Sequence, residues 1–285
     1  MRIITVLTLT AAALLAVRTS AQVAPASSNA QATVRKVADS LGMLRTTDEE
    51  DMIATVRYWA TGTATVEGRA CKLTSYAASV NYHVPGARID YVCADPNGQP
   101  GPRRIEVVAE NFAWNEDTPG GRATPAPAAA ADRLLNVWAL PQGAVKAAVL
   151  VGANAKMTTE AGATVLTFPA PLAGATMKVT LNTRPIAIAT GSQDLTKAPL
   201  PAGTVIERVE VRRGAMVTET TYAEYGDWNG SDYFSDVPFP KHIVQKQGGV
   251  TVLDLTIDKT NTYNPYVVMR VPQNVRAAGA TAVSR

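Results

Sequence analysis

Few side chains in this sequence have the types and spacing that catalysis needs. The 285 residues include two histidines, His83 and His242, fewer than a zinc hydrolase of the His-x-His-x-Asp-His type requires, and no His-Glu-x-x-His pattern. The Gly-x-Ser-x-Gly turn that presents the nucleophile of α/β-hydrolases is absent, and so is the Gly-rich loop that binds phosphate. The sequence therefore predicts no catalytic residue, no metal site and no cofactor.

Acidic residues are concentrated between positions 219 and 236, among aromatic rings. Such a mixture can form a sugar site when two carboxylates lie about 5–9 Å apart. No spacing here brings two acids face to face, so we interpret the stretch as a solvated loop that its aromatic residues anchor. A carboxylate-dependent hydrolase of glycans or esters is the alternative. The acids are Glu219, Glu224, Asp227, Asp232 and Asp236.

The N-terminus has the layout of a secretory signal peptide. Arg2 gives a positive start, residues 3–17 are apolar, and residues 19–21 (TSA) supply small side chains at a cleavage site. We expect a soluble periplasmic or secreted protein, because no cysteine for lipid attachment follows the run. An uncleaved N-terminal anchor is the alternative. No later stretch approaches about 18 consecutive apolar residues, so no integral membrane span is expected after cleavage.

The two cysteines, Cys71 and Cys93, are expected to form a disulfide. An even number of cysteines in an exported chain usually pairs. The closed loop of about 22 residues would contribute roughly 3 kcal/mol to stability. Two buried free thiols are the alternative, and neither cysteine belongs to a Cys-x-x-Cys motif of redox catalysis.

The charge balance argues against nucleic acid as a partner. The chain has 27 basic and 24 acidic residues, and the basic count falls to 25 when Arg2 and Arg18 leave with the signal. A nearly neutral surface has no net attraction for nucleic acid or anionic lipid.

Hydrophobic periodicity predicts helices embedded in many strands. Val34, Val37 and Leu41 predict an amphipathic helix that begins near Ala30. The alanine-rich stretch 126–140 and residues 143–151 predict two more helices, both on one side of the sheet. The predicted strands are 55–66, 75–84, 88–93, 103–108, 164–168, 177–182, 205–211, 216–225, 241–247 and 250–257.

Several segments, in this order along the chain, resemble the periplasmic lipoprotein-carrier (LolA/LolB-like) superfamily and its lipoprotein-sorting relatives. Residues 82–91 (YHVPGARIDY) are similar to the family's hairpin, and 109–115 (AENFAWN) to its strand of pattern D-G-x-x-x-W. Residues 237–243 (VPFPKHI) and 268–275 (VMRVPQNV) are similar to its late strand and closing segment.

The resemblance implies a mainly β (α+β) fold. We expect a strongly curved antiparallel half-barrel of about eleven strands, with two or three helices that cover or plug the concave face. This single domain would span residues 30–276, after a signal peptide at 1–21 and a linker at 22–29, and before a flexible tail at 277–285.

The expected function is a carrier with a hydrophobic cleft for a lipid or lipidated partner. An acyl chain gains roughly 0.8 kcal/mol per buried CH₂, so such a cleft needs no charged contact. Ordinary core packing is the alternative role for its aromatic residues, and an envelope interaction module without a cavity is the alternative function. The expected cleft residues are Trp59, Phe112, Trp114, Leu134 and Trp138. The expected rim residues are His83, Arg88, Tyr222, Tyr225 and Trp228.

Overall fold

The structure is a computed structural model that describes residues 26–44, 53–95, 97–187, 202–229, 237–262 and 264–283. The predicted signal peptide at 1–21 lies outside the described residues. Helix α1 (Ala26–Ser40) begins four residues before the predicted start at Ala30, so it includes the end of the predicted linker. Val34 and Val37 on the helix, and Leu41 just after its end, are buried, which confirms the amphipathic pattern.

Within the described residues, thirteen strands form one antiparallel sheet. The first six, which run outward from the centre to one edge, are β1 (Thr55–Val66), β2 (Arg69–Asn81), β3 (Gly86–Ala94), β4 (Pro100–Ala109), β5 (Phe112–Glu116) and β6 (Ala123–Pro125). The other seven, which run inward from the opposite edge, are β7 (Lys156–Glu160), β8 (Ala163–Pro169), β9 (Ala175–Pro185), β10 (Ala202–Arg213), β11 (Met216–Gly226), β12 (Phe239–Gln247) and β13 (Val250–Asn261).

The sheet is one meander with a single long-range pairing. Each strand pairs with its neighbours in sequence, except that β6 and β7 form the two opposite edges, and β1 also pairs with β13, which joins the two arms at the centre. The predicted curved half-barrel is therefore confirmed. The two strands beyond the expected eleven are β6 and β7, short edge strands that alternation of apolar residues did not mark.

The central strands bend at Gly62. The register of β1 against β2 shifts between Ala60 and Gly62, as expected for a bulge. Gly62 has a φ of 146°, and a Cβ there would lie 2.0 Å from the carbonyl oxygen of Asp254. Only glycine fits this position, because any larger residue would clash with the backbone of β13.

Two helices connect the two edges across the concave face. Helix α2 (Ala130–Ala139) contacts β3 and β4 on one arm and β10 on the other, and helix α3 (Pro141–Val151) follows it. Their junction is tight, because a Cβ at Gly143 would lie 2.3 Å from the carbonyl oxygen of Val137. The placement of both helices on one side of the sheet is confirmed.

A fourth helix, α4 (Gln273–Val283), occupies most of the segment predicted to be a flexible tail. Within the predicted tail, residues 277–283 are helical. Alanine favours helix, and the segment just before the tail is fixed to the sheet by Val275, which is 2% exposed. Arg276 adds an ion pair with Glu110 at 3.1 Å.

The sheet separates two hydrophobic clusters. The main core lies on the concave face, under α1, α2 and α3. A smaller cluster, called the outer core here, lies on the opposite face of β4 and β5 under the C-terminal segment. Its buried members are Ile105, Val107, Ala109, Trp114, Val271 and Val275.

Candidate binding cavities

Helix α2 is held from both arms of the sheet. On one side the Arg133 guanidinium donates to the carbonyl oxygens of Val107 at 3.1 Å and Trp114 at 2.9 Å, and it pairs with Glu106 at 3.0 Å. On the other side Asp132 pairs with Arg213 of β10 at 2.6 Å. The helix therefore crosses the concave face of the half-barrel and is attached to both arms of the sheet.

A cavity of about 110 Å³, called the central cavity here, remains between α2 and the sheet. Its walls are mostly apolar and come from seven strands (β1 to β4 and β11 to β13) and the helix. Its polar side chains are mainly on α2 and the strands beside it, and the Gln245 amide donates to Asn136 at 3.1 Å. Among the apolar lining residues are Val80, Ala87, Val108, Val137, Leu140 and Ile243; among the polar ones are Glu106, Arg133, Asn136 and Gln245.

Three tyrosines line the central cavity, and all three are buried. Burial raises the pKa of Tyr58 to about 12, partly offset by a hydrogen bond with Tyr76. Burial also raises the pKa values of Tyr76 and Tyr222. The Tyr222 hydroxyl donates to the carbonyl oxygen of Ala139 at 2.6 Å, at the end of α2. The hydroxyls therefore stay neutral at physiological pH and act as uncharged polar groups in an apolar wall.

A second cavity, of about 260 Å³ and called the end cavity here, lies where β1 begins and β2 ends. The two cavities share no lining residue: Val137 and Ala139 of α2 line the central cavity, whereas Trp138 between them lines the end cavity. The side chains that line it are those of Met43, Ile53, Ala54, Tyr82, His83, Trp138, Val145, Lys146, Val149 and Leu150.

No protein-family model matches the chain, and no curated protein matches it. Among solved structures, the chain is similar to LprF from Mycobacterium bovis. The two share 12% sequence identity, the alignment covers 87% of this chain and 99% of that chain, and the TM-score is 0.30.

No single helix within the described ranges is long and apolar enough to cross a membrane. The helical segments Pro127–Ala139 and Pro141–Asn154 reach that length and apolarity only when they are taken together, and the chain bends by 95° between them.

Three of the five predicted cleft residues lie on the wrong face of the sheet. Trp59 alternates with the buried Tyr58 and points away from the main core, where Arg57 and Lys259 lie over its ring at 5.0 and 6.0 Å. Trp114 belongs to the outer core, and the half-buried Phe112 packs against it. The prediction that they line the concave cleft is wrong, because both faces of β4 and β5 are covered and alternation alone does not tell them apart.

The other two predicted cleft residues, Leu134 and Trp138, lie on the concave side. Both are buried in the main core. Trp138 also lines the end cavity, whereas Leu134 is not part of the lining of either cavity. Among the described residues, Tyr58, Tyr76 and Arg133 were missed as cavity residues. The alternation of Tyr58 and Tyr76 with polar or half-buried neighbours was the signal that could have identified two of them.

The predicted rim residues do not form one rim. His83 is exposed beside the end cavity, and Arg88 faces the outer side, where it pairs with Glu116 at 2.9 Å. Tyr222 and Tyr225 are buried rather than at a rim, and the Tyr225 hydroxyl donates to the carbonyl oxygen of Ile206 at 2.6 Å. Trp228 is half-buried, and its indole nitrogen donates to the carbonyl oxygen of Phe239 at 2.7 Å.

The acids of the 219–236 stretch have separate partners. Glu219 pairs with Arg208 at 3.3 Å, Glu224 lies 3.4 Å from His242, and Asp227 accepts from the Asn229 amide at 2.6 Å. Asp232 and Asp236 lie outside the described residues. The burial of Tyr222 and Tyr225 also removes part of the aromatic patch that an interaction module would expose over 222–239.

The predicted disulfide between Cys71 and Cys93 is present, with a Cα–Cα distance of 5.4 Å. It joins β2 to β3 near the open end of their hairpin, close to the cross-strand pair of Leu73 and Cys93. The bond therefore fixes two strands whose inner faces line the central cavity.

Proposed function

We propose that this chain is an exported binding protein of the LolA/LolB-like type, without catalytic activity. It takes an apolar chain of a lipid or lipidated partner between α2 and the concave face of the sheet. The observation that carries the proposal is the central cavity, whose apolar walls lie beside a polar border of Arg133, Glu106, Asn136 and Gln245. Such a border suits the junction between a chain and its head group. The N-terminal signal pattern supports export.

The size of the central cavity limits what it can hold as it stands. A dry cavity of about 150 Å³ accommodates benzene, so 110 Å³ corresponds to roughly four carbon atoms. A longer chain requires α2 to shift. The Asp132–Arg213 pair is largely exposed, and pairs of this kind contribute at most about 1 kcal/mol. Because each buried CH₂ contributes roughly 0.8 kcal/mol, a few additional buried methylenes of the ligand offset the loss of this ion pair.

The test fills the central cavity from the sheet side. Ala87 is buried and lines the cavity, so Ala87→Leu places three more carbon atoms in it. We expect this variant to take up a neutral fluorescent apolar probe at least tenfold more weakly than the wild type. Native mass spectrometry of gently purified wild-type protein should show a co-purifying apolar ligand that the variant lacks.

The matched control is Ala77→Leu, the same change on the half-buried outer face of β2 opposite Trp59. It should leave probe uptake unchanged. Thermal unfolding of both variants checks that the fold is retained. Equal uptake by wild type and Ala87→Leu, or no uptake by the wild type together with a ligand-free mass, would contradict the proposed function.

A further inference from the structure

We propose that the central cavity selects an apolar chain whose head group is uncharged and carries a hydroxyl, as in a fatty alcohol or another neutral hydroxylated lipid. This ligand class rests on the proposed function, because it belongs to the same cavity. The head group is selected by the polar side chains at the border of the cavity, most of which are already paired with one another.

The border of the central cavity has no net charge among the residues that the structure describes. Glu106 and Arg133 are the two charged side chains that line it, and they pair with each other at 3.0 Å. The tyrosines of the wall add no charge at physiological pH, because burial raises their pKa values. An ionised head group would therefore meet only charges that are already neutralised.

The Arg133 guanidinium has little hydrogen-bonding capacity left for a ligand. Its Nη1 atom donates to the carbonyl oxygens of Val107 at 3.1 Å and Trp114 at 2.9 Å. Its Nη2 atom donates to the Asn115 amide oxygen at 2.7 Å and lies 3.0 Å from Glu106. Four of the N–H groups of an arginine are thus used. An anionic head group would have to displace one of these acceptors.

The Glu106 carboxylate is occupied as well. One of its oxygens pairs with Arg133, and the other accepts from the Tyr91 hydroxyl at 3.0 Å. A cationic head group would have to compete with Arg133 for this carboxylate. Because a charge that leaves water without a partner is costly, both kinds of ion are disfavoured at this border.

The amides of Asn136 and Gln245 provide uncharged polar groups instead. The Gln245 Nε2 atom donates to the Asn136 Oδ1 atom at 3.1 Å and to the Thr220 hydroxyl at 3.4 Å. These bonds leave the NH₂ group of Asn136 and the carbonyl oxygen of Gln245 without a partner among the described residues. Both side chains line the cavity, and Asn136 is exposed. One free donor group beside one free acceptor matches a hydroxyl, which can both accept and donate.

The first measurement compares ligands that share an octyl chain and differ in the head group. In calorimetric titration of the purified protein at neutral pH, octan-1-ol should bind at least tenfold more tightly than octanoate or octylammonium. Equal affinities, or tighter binding of an ion, would overturn the head-group selection and leave the proposed function standing. If none of the three binds and the neutral apolar probe is not taken up, both proposals fail.

The second measurement changes the charge of the border. Glu106→Gln keeps an oxygen that can accept from Arg133 but removes its counter-charge. Octanoate should therefore gain at least tenfold in affinity relative to octan-1-ol. The matched control is Glu110→Gln, which makes the same change in the similarly exposed ion pair with Arg276 and should keep the wild-type ratio. An unchanged ratio in a folded Glu106→Gln protein would refute the role of the neutralised pair.

The third measurement tests recognition of the hydroxyl hydrogen. Octan-1-ol and 1-methoxyheptane have the same number of non-hydrogen atoms, but the ether cannot donate. The wild type should bind the alcohol about fivefold more tightly, because its O–H donates to the carbonyl oxygen of Gln245. Gln245→Leu should lose most of this preference, whereas Gln247→Leu, at an exposed position further along β12, should retain it. No preference in the wild type, or a full preference in a folded Gln245→Leu protein, would contradict the proposal.

Discussion

The two faces of the sheet are both covered by helices, but only one of them contains the cavities described above. On the outer face, Trp114 is 1% exposed and fills the space under the C-terminal segment. On the concave face, α2 crosses between the arms and leaves room on both sides of its last turn. The cavities lie on the concave face because α2 has to reach from β3 and β4 on one arm to β10 on the other. The outer core only covers the adjacent strands β4 and β5 of one arm.

The polar groups of the two faces differ in the same way. The buried carboxylate of Glu116, on the outer side, accepts from Arg88 at 2.9 Å, from the Trp114 indole at 2.8 Å and from the backbone N–H of Gly120 at 2.7 Å. A carboxylate so fully paired contributes to structure. On the concave side the Trp138 indole has no such acceptor among the residues that the structure describes. Tryptophan content alone therefore does not mark a binding site in this molecule.

The largest expected effect is the loss of the outer core. Trp114→Ala should lower the free energy of unfolding by about 3–5 kcal/mol, because it removes a fully buried ring and leaves Glu116 without one donor. Chemical denaturation measures this. Uptake of the apolar probe should persist at temperatures where the variant is folded.

Trp59→Ala provides the contrast within the same set of aromatic residues. Its ring is only partly buried and contacts Arg57 and Lys259, so the loss should be within about 1 kcal/mol. If Trp114→Ala abolished probe uptake while folded, or if the two substitutions cost the same, the distinction between the two faces would fail.

The next effect is removal of the disulfide. The double substitution Cys71→Ala and Cys93→Ala opens a loop with a sequence separation of 22 residues, which should cost roughly 3 kcal/mol. Because the bond joins β2 to β3, the loss should also loosen the wall of the central cavity. Hydrogen exchange would report this as faster exchange in β2 and β3 than in β9.

Reduction of the wild-type protein is the independent check on this substitution. It should reproduce the lower unfolding midpoint of the double variant, because both lack the same covalent bond. A midpoint unchanged by either treatment would show that native packing already holds the two strands together without it.

Ten of the strands and the three concave-face helices could be predicted from the sequence because their signals are local, whereas β5 was indicated only by the family resemblance. Alternation identifies a strand such as β13, in which the buried Leu255 and Ile257 alternate with polar residues. The edge strands β6 and β7 could not be found in this way, since edges bury little and leave no alternating pattern. Trp114 was wrongly predicted as a cleft residue because periodicity cannot tell which of two covered faces of a strand borders a cavity.

The cavity residues were harder to predict for a related reason. Arg133 is one charged residue on a predicted helix, and only the path of α2 across the sheet brings it to the carbonyl groups of β4 and β5. The indole N–H of Trp138 likewise has no hydrogen-bond acceptor among the described residues, and this depends on which groups the tertiary structure brings near it. Both are properties of three-dimensional arrangement that no spacing in the chain encodes.

The smallest effect tests the tyrosine wall of the central cavity through pH. The pKa of Tyr58 is raised from 10.0 to about 12 by burial, so above pH 10 the unfolded chain loses this proton more readily than the folded one. Stability is therefore complete below pH 10 and falls as pH rises toward 12, by about 1.4 kcal/mol at pH 11 from this residue. In urea unfolding at pH 9 and 11, Tyr58→Phe should lose that much less stability than the wild type. Tyr266→Phe changes a ring that is 90% exposed, so this variant should lose as much stability between pH 9 and pH 11 as the wild type does. An equal slope in all three proteins would mean that water reaches Tyr58, and that the wall of the central cavity is open where the structure closes it.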